Sequence, residues 1–275
     1  MANKKFSEFD LKTNSADVQF VVGYNGTDNV RIAPSNLGGG GGASSLNGLS
    51  DCLVDTDSLY VGEVPSGLSG NPQSNTTLGI DSAPALTTGI ENTIIGNDAG
   101  LALTSGGRHV MIGFEAGAAM TIGSKGVFIG YQAGKSTTTT TNIEAVYIGN
   151  QAGSTITGIG STNVVIGGRA FGYGSTPSNC SGNVSIGWRT MYKISTGGEF
   201  NTCVGRMAGN DLTTGQSNVY IGSNSGDTAT TGSNNIAIGN NAIPSSATVS
   251  NEITLGDSNI TSLRCAVTSI TSLSD

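Results

Sequence analysis

A dipeptide that ends in glycine returns ten times along this chain at an almost constant interval. The glycines are Gly96, Gly113, Gly130, Gly149, Gly167, Gly187, Gly205, Gly222, Gly239 and Gly256, and each follows Ile, Val or Leu. Successive steps are 17 to 20 residues, which is too short for a helical repeat and fits one coil of a β-solenoid. The period predicts an elongated structural or binding protein rather than an enzyme. We call these ten residues the marker glycines and count positions within a coil from them.

The three residues that precede each marker glycine are predicted to form a short strand. Position −3 is Thr, Val or Ile, and position −1 is Ile, Val or Leu. Side chains alternate along a strand, so these two positions share one face, and their β-branched content predicts that this face points into the solenoid. Position −2 would then face outward, and its mostly apolar residues predict a surface covered by another copy of the chain. The predicted intersubunit residues are Met111, Phe128, Tyr147, Val165 and Tyr220.

The corners between strands follow a pattern of their own. Asn recurs at position −4 in six coils, which predicts a corner where stacked amides bond to each other between coils. His109, the single histidine, occupies the same position, so we expect a corner residue rather than a catalytic base. Two coils are longer, through residues 135–143 and 171–180. Their extra residues predict surface loops, where recognition tends to lie.

Composition excludes several classes of function. The net charge is −7 with only 11% charged residues, and the basic residues are scattered, so no nucleic-acid partner is expected. No apolar run approaches the length of a membrane span, and the first residues lack the apolar core of a signal peptide, which predicts folding in a cytoplasm. Four cysteines without close spacing and one histidine predict free thiols and no metal or cofactor. No catalytic constellation is evident.

The sequence predicts five parts. They are an N-terminal segment (1–37), a glycine-rich hinge (38–43), a neck (44–86), the solenoid array (87–256) and a C-terminal stalk (257–275). Within the first part, strands at 18–23 and 30–32 flank a run of turn residues and predict a β-hairpin. Residues 75–79 read as a degenerate first repeat.

The repeats carry a family resemblance. The pattern Asn-x-Val-x-Ile-Gly-x-x-Ala-Gly over residues 75–256 resembles the β-roll heads of trimeric adhesins, and the longer coils with Thr-Thr-Gly are similar to repeats of tailed-bacteriophage tail fibres. The resemblance implies an all-β parallel solenoid of the left-handed β-roll type, with about ten coils of 17–20 residues in an elongated homotrimer.

Both ends extend this resemblance. Residues 251–275 resemble the segment that precedes the endosialidase-type intramolecular chaperone of phage fibres, which assembles a trimer and then cuts itself off at a Ser-Asp bond. Ser274 and Asp275 match that bond and would be the autoprocessing junction. Residues 1–37 resemble the attachment segment at the virion-proximal end of phage fibres. The resemblance thus implies a virion tail protein, assembled in the host cytoplasm and docked to a tail or baseplate protein.

The function expected from these features is adsorption to a host-surface glycan or protein by a structural fibre. Aromatic residues near the longer coils are the candidate receptor contacts: Phe171, Tyr173, Trp188 and Tyr192. They could stack on sugars or pack between subunits.

Three alternatives fit less well. A trimeric cell-surface adhesin would need a signal peptide and a membrane anchor. A fibre with glycan depolymerase activity would need two carboxylates in a groove. An ice-binding solenoid would need threonine at one position in every coil, whereas Thr137 to Thr141 form a single run.

Overall fold

The structure is a computed structural model that describes residues 21–24, 29–32, 52–55, 57–62, 65–70, 72–138, 143–157 and 162–264. The described residues contain β-strands and turns and no helix. The chain divides into two units, residues 1–49 and 50–275. In the first unit, β1 (Val21–Tyr24) and β2 (Asn29–Ile32) pair antiparallel, as the predicted hairpin requires.

The second unit is built on one sheet. Its strands are β3 (Cys52–Asp55), β4 (Ser58–Gly62), β5 (Thr76–Gly79), β6 (Thr93–Ile95), β7 (Val110–Ile112), β8 (Val127–Ile129), β9 (Val146–Ile148), β10 (Val164–Ile166), β11 (Val184–Ile186), β12 (Thr202–Val204), β13 (Val219–Ile221), β14 (Ile236–Ile238) and β15 (Ile253–Leu255). They lie in chain order, with β3 antiparallel to β4 and every later neighbour parallel. The described residues therefore form a twelve-strand parallel β-solenoid of about eleven turns. Two of its strands, β4 and β5, lie in the stretch predicted to be a neck.

The marker glycines stack directly on one another. From Gly96 to Gly239 their φ lies between +127° and +142°, a region that only glycine adopts without strain. A Cβ atom on Gly205 would stand 2.4 Å from the carbonyl oxygen of Gly222 in the next coil. Glycine is required at this position by both backbone conformation and close approach, which explains the regular spacing in the sequence.

The predicted direction of the strand faces is wrong. The middle residue of each strand points inward: Met111, Phe128, Tyr147, Val165 and Tyr220 are each 0% exposed within a single chain. The flanking positions lie outside, and Ile221 is 39% and Ile238 42% exposed. Alternation shows which residues share a face but not which face points into the core. β-branched residues do not settle this, because they favour strands on either face. The five residues predicted at a subunit interface are core residues instead.

In the interior of most coils, the side chains at positions −2 and +4 compensate for each other in size. Where position +4 is glycine, position −2 is Ile94, Met111, Phe128, Tyr147, Cys203 or Tyr220. A Cβ on Gly226 would stand 2.5 Å from the Tyr220 ring, so no side chain fits there. Where position −2 is Val165 or Ser185, position +4 is Phe171 or Met191, both fully buried. Cys203 is the exception, a small residue at −2 whose coil keeps Gly209 at +4. The core keeps its volume by exchanging bulk between these positions.

The asparagines at position −4 form the predicted ladder. Asn218 donates from Nδ2 to Asn201 Oδ1 at 3.0 Å and to the Gly232 carbonyl at 2.9 Å, and its backbone N–H also donates to Asn201 Oδ1. The amides thereby satisfy buried backbone groups at the corners where asparagine occupies position −4.

His109 stands in this ladder as a corner residue. Its Nδ1 accepts from the Gly126 N–H at 3.1 Å, and its Nε2 lies 2.6 Å from the Gly123 carbonyl. Burial lowers the pKa of His109, against the opposing effect of these backbone bonds. The imidazole is therefore neutral, with its proton on Nε2.

Candidate functional site

Three arginines and three aromatic rings meet on the surface of neighbouring coils. Arg189 Cζ lies 4.2 Å from the centre of the Tyr192 ring and 5.2 Å from that of Trp188. Arg206 Cζ lies 5.4 Å from the centre of the Trp188 ring, and Arg169 Cζ lies 5.2 Å from that of Tyr173. The two tyrosine rings are 5.7 Å apart. We call Arg169, Tyr173, Trp188, Arg189, Tyr192 and Arg206 the arginine–aromatic platform.

The coil backbone fixes the platform residues in place. Arg169 and Arg189 occupy position +2 of adjacent coils, each in the left-handed region at φ 54° and 56°. The Arg189 N–H donates to the Gly168 carbonyl at 3.1 Å, and the Arg169 N–H donates to the Asn150 carbonyl at 2.9 Å. Each side chain therefore leaves the stack at the same corner, one coil above the other.

Glycines of the longer coil make room for the rings. A Cβ on Gly174 would stand 2.5 Å from Tyr192 Cε1, and one on Gly168 would stand 3.4 Å from Trp188 Cδ1. The longer coil remains bonded to its neighbour, since the Gly174 N–H donates to the Tyr192 carbonyl at 2.9 Å. Tyr173 is thereby held beside Tyr192 by backbone bonds and ring contact.

The platform differs electrostatically from the rest of the described surface. Four of the five other cations with described side chains contact carboxylates, in the pairs Arg108–Glu91 at 2.6 Å, Lys125–Glu144 at 2.6 Å, Lys135–Glu115 at 2.7 Å and Lys193–Asp211 at 3.0 Å. Arg264, near the end of the described residues, is the exception. Within the described residues, none of the three platform arginines has an ion pair. The buried Nε of Arg189 has no hydrogen-bond partner there. The platform thus holds positive charge that no carboxylate of the described chain neutralises.

Three of the four predicted receptor contacts come together in this platform. Tyr173 and Tyr192 are half-buried, and Trp188 is 43% exposed. The prediction for Phe171 is wrong, because this ring is 0% exposed and belongs to the hydrophobic core. The arginines were missed, although Arg169 and Arg189 share position +2 and Arg206 follows the next marker glycine directly.

The platform offers a ligand guanidinium N–H donors and aromatic surface. Among the described residues no group of three or more His, Cys, Asp or Glu is placed to hold a metal. Cys180 and Cys203 are free and buried, and burial raises the pKa of both thiols, so neither is an activated nucleophile. Ser274 and Asp275, the predicted autoprocessing junction, lie outside the described residues.

Comparisons with protein-family models, curated proteins and solved structures found no match. In the described part of the chain, no helix has the length and apolar character needed to cross a membrane.

Proposed function

We propose that this chain is a homotrimeric bacteriophage tail fibre that adsorbs to the host surface by binding rather than by catalysis. The observation that carries the proposal is the outer face of the solenoid sheet. Positions −3 and −1 of β5 to β15 hold only Thr, Val, Ile and Leu, and this face is partly exposed in the single chain.

The size of this face favours an interface. Eleven strands spaced about 4.8 Å apart extend roughly 50 Å, and a stripe two side chains wide covers on the order of 500 Å². Exposed apolar patches of this size on soluble proteins mark interaction surfaces. A Thr, Val, Ile or Leu side chain offers no charge or amide to specify a polar partner, so packing must hold whatever covers it.

A second copy of the chain is the partner that fits. A partner must present one side chain about every 4.8 Å along the whole length of this face. A parallel copy of the same solenoid has this spacing. Three copies can close their stripes around a common axis, as the resemblance to trimeric heads implies. The proposed interface is therefore the −3 and −1 face, opposite to the face expected from the sequence.

The ends of the chain complete the proposal. Residues 1–37 dock onto a tail or baseplate protein, and a downstream chaperone sets the trimer before cleavage at Ser274 and Asp275. The virion is then the location of the mature fibre. These roles rest on the resemblance of the terminal segments, most of which lie outside the described residues.

The test uses the chain produced together with its proposed downstream chaperone and purified after cleavage. Light scattering should give three times the chain mass of 27.6 kDa, and excess protein added to host cells should slow adsorption of the phage that encodes it. Removing residues 1–37 should abolish incorporation into particles without lowering this competition. A monomer at micromolar concentration would overturn the trimer, and undiminished adsorption would overturn the receptor-binding role.

A further inference from the structure

We infer that the arginine–aromatic platform binds an anionic glycan, one whose sugar rings carry carboxylates. This inference rests on the proposed adsorption function and names the chemical class of its receptor. It is carried by the combination of guanidinium groups that have no carboxylate partner and partly exposed aromatic rings at one place on the solenoid.

The charge of the platform favours an anionic ligand. The whole chain carries a net charge of −7, yet three arginines converge here without a carboxylate partner among the described residues. A guanidinium stacked on a ring keeps its N–H donors around its edge, where a planar carboxylate can accept two of them. Arg169 and Arg206 are exposed, so their donors are accessible to a ligand from solution.

The rings favour a sugar rather than a simple anion. Trp188 is 43% exposed, and Arg189 lies over both this ring and that of Tyr192, which contacts Tyr173. Aromatic faces flanked by hydrogen-bonding groups suit a ring that is apolar on one face and polar at its rim.

The platform is also held in place before binding. Trp188 and Tyr192 lie against glycines of the preceding coil, and the corner backbone is bonded on both sides. A binding surface that is ordered in advance loses less conformational entropy when a ligand arrives.

A nucleic acid is a poorer match. Strong phosphate-backbone binding needs many cations along the strand, whereas the neighbouring Lys193 is already paired with Asp211. Repeating acidic sugars need only a few contacts at one point, because several sites on one fibre add avidity.

The experiment measures binding of the full trimer to immobilised glycans by interferometry. The probes are polygalacturonate, polysialic acid and hyaluronate as acidic glycans, dextran as a neutral glycan, and poly-glutamate as a carboxylate polymer without sugar rings. We expect at least one acidic glycan to bind, with affinity falling as salt rises, and dextran and poly-glutamate to bind at least tenfold more weakly.

Variants separate the parts of the platform. Arg169→Gln with Arg206→Gln should weaken binding at least tenfold, and Trp188→Ala should weaken it similarly while retaining all three charges. Arg108→Gln removes an arginine paired with Glu91 outside the platform and should leave binding unchanged. Each variant is compared as a trimer of unchanged thermal stability.

Three outcomes would overturn the inference: none of the acidic glycans binds, poly-glutamate binds as well as they do, or the arginine variants bind normally. These results are distinct from failure of the proposed function. A trimer that blocks phage adsorption but binds no acidic glycan would retain the fibre and exclude this receptor class.

Discussion

The inner face of the solenoid strands is more buried than the outer face but more varied in residue type. The inner column is fully buried from Ile94 to Ala237, yet it includes aromatic, aliphatic, sulfur-containing and hydroxyl side chains. The outer columns are partly exposed, yet they contain only four residue types. Burial alone therefore does not impose uniformity. The interior can vary because the bulk of one core position can be exchanged for that of another, whereas the proposed subunit interface would have to match its partner along its whole length.

The largest expected effect comes from placing the same charge on each face of β13. Tyr220→Asp puts an unpaired carboxylate into the core and removes a buried ring, so we expect a loss of about 4 kcal/mol or more in the free energy of unfolding. Ile221→Asp should leave the coils folded and dissociate the trimer. Thermal melts and light scattering distinguish the two results.

Thr214→Asp serves as the control for this pair, because it adds a carboxylate to an exposed corner of the same coil. It should change neither stability nor oligomeric state. Dissociation without unfolding in Tyr220→Asp, together with an intact Ile221→Asp trimer, would reverse the assignment of the faces.

A smaller effect tests the volume exchange inside the core. Val165→Tyr alone should overpack its coil and cost about 1–3 kcal/mol, and Phe171→Gly alone should leave a cavity costing about 3–5 kcal/mol. Together they recreate the Tyr147 and Gly153 arrangement of the preceding coil, so we expect the double variant to recover at least half of the summed loss. Denaturant unfolding of the four proteins gives the coupling energy. Strictly additive losses would contradict the exchange.

The smallest effect is expected at His109, the corner residue in the asparagine ladder. The pKa of His109 is lowered by burial, so the unfolded chain takes up a proton near pH 6.5 while the folded chain resists. Stability should fall as pH drops below 6.5, toward the lower pKa of the folded state, and should not depend on this residue above it.

His109→Asn restores the ladder residue and removes this titration. An asparagine there has the Gly123 carbonyl and the Gly126 N–H as partners, as Asn92 and Asn218 have theirs. We expect nearly equal melting temperatures at pH 8 and a more stable variant at pH 5. Parallel pH profiles for the two proteins would exclude His109 as a source of acid sensitivity.

Much of the fold is predictable from the sequence, because its local rules repeat. The strands at −3 to −1, the marker glycines and the asparagine ladder follow from spacing and residue type. The direction of the faces does not, but one signal was available: Phe171 and Met191 replace glycine at +4 in the adjacent coils that carry Val165 and Ser185 at −2. Size compensation between two positions indicates that both lie in the core.

The start of the solenoid and the platform were missed for different reasons. Tyr60 and Gly62 already match the strand pattern, 17 residues before Thr77 and Gly79, and Val61-Gly62 and Leu78-Gly79 are dipeptides of the marker type, so the signal for these coils was present in the sequence. Arg169, Arg189 and Arg206 are separated by 17 to 20 residues and become neighbours only when the coils stack. Coil stacking brings residues at similar repeat positions into contact, although they are far apart in the sequence.

The parallel, in-register pairing of neighbouring coils has a genetic consequence. Each strand meets the next through the same three-residue register, so a coil duplicated in frame would find its hydrogen bonds, its glycine neighbour and its ladder amide already in place. Recombination between repeats could thus lengthen or shorten the rod one rung at a time, by about 4.8 Å, while leaving both ends intact. The reach of such a protein is a quantity that evolution can adjust in whole steps.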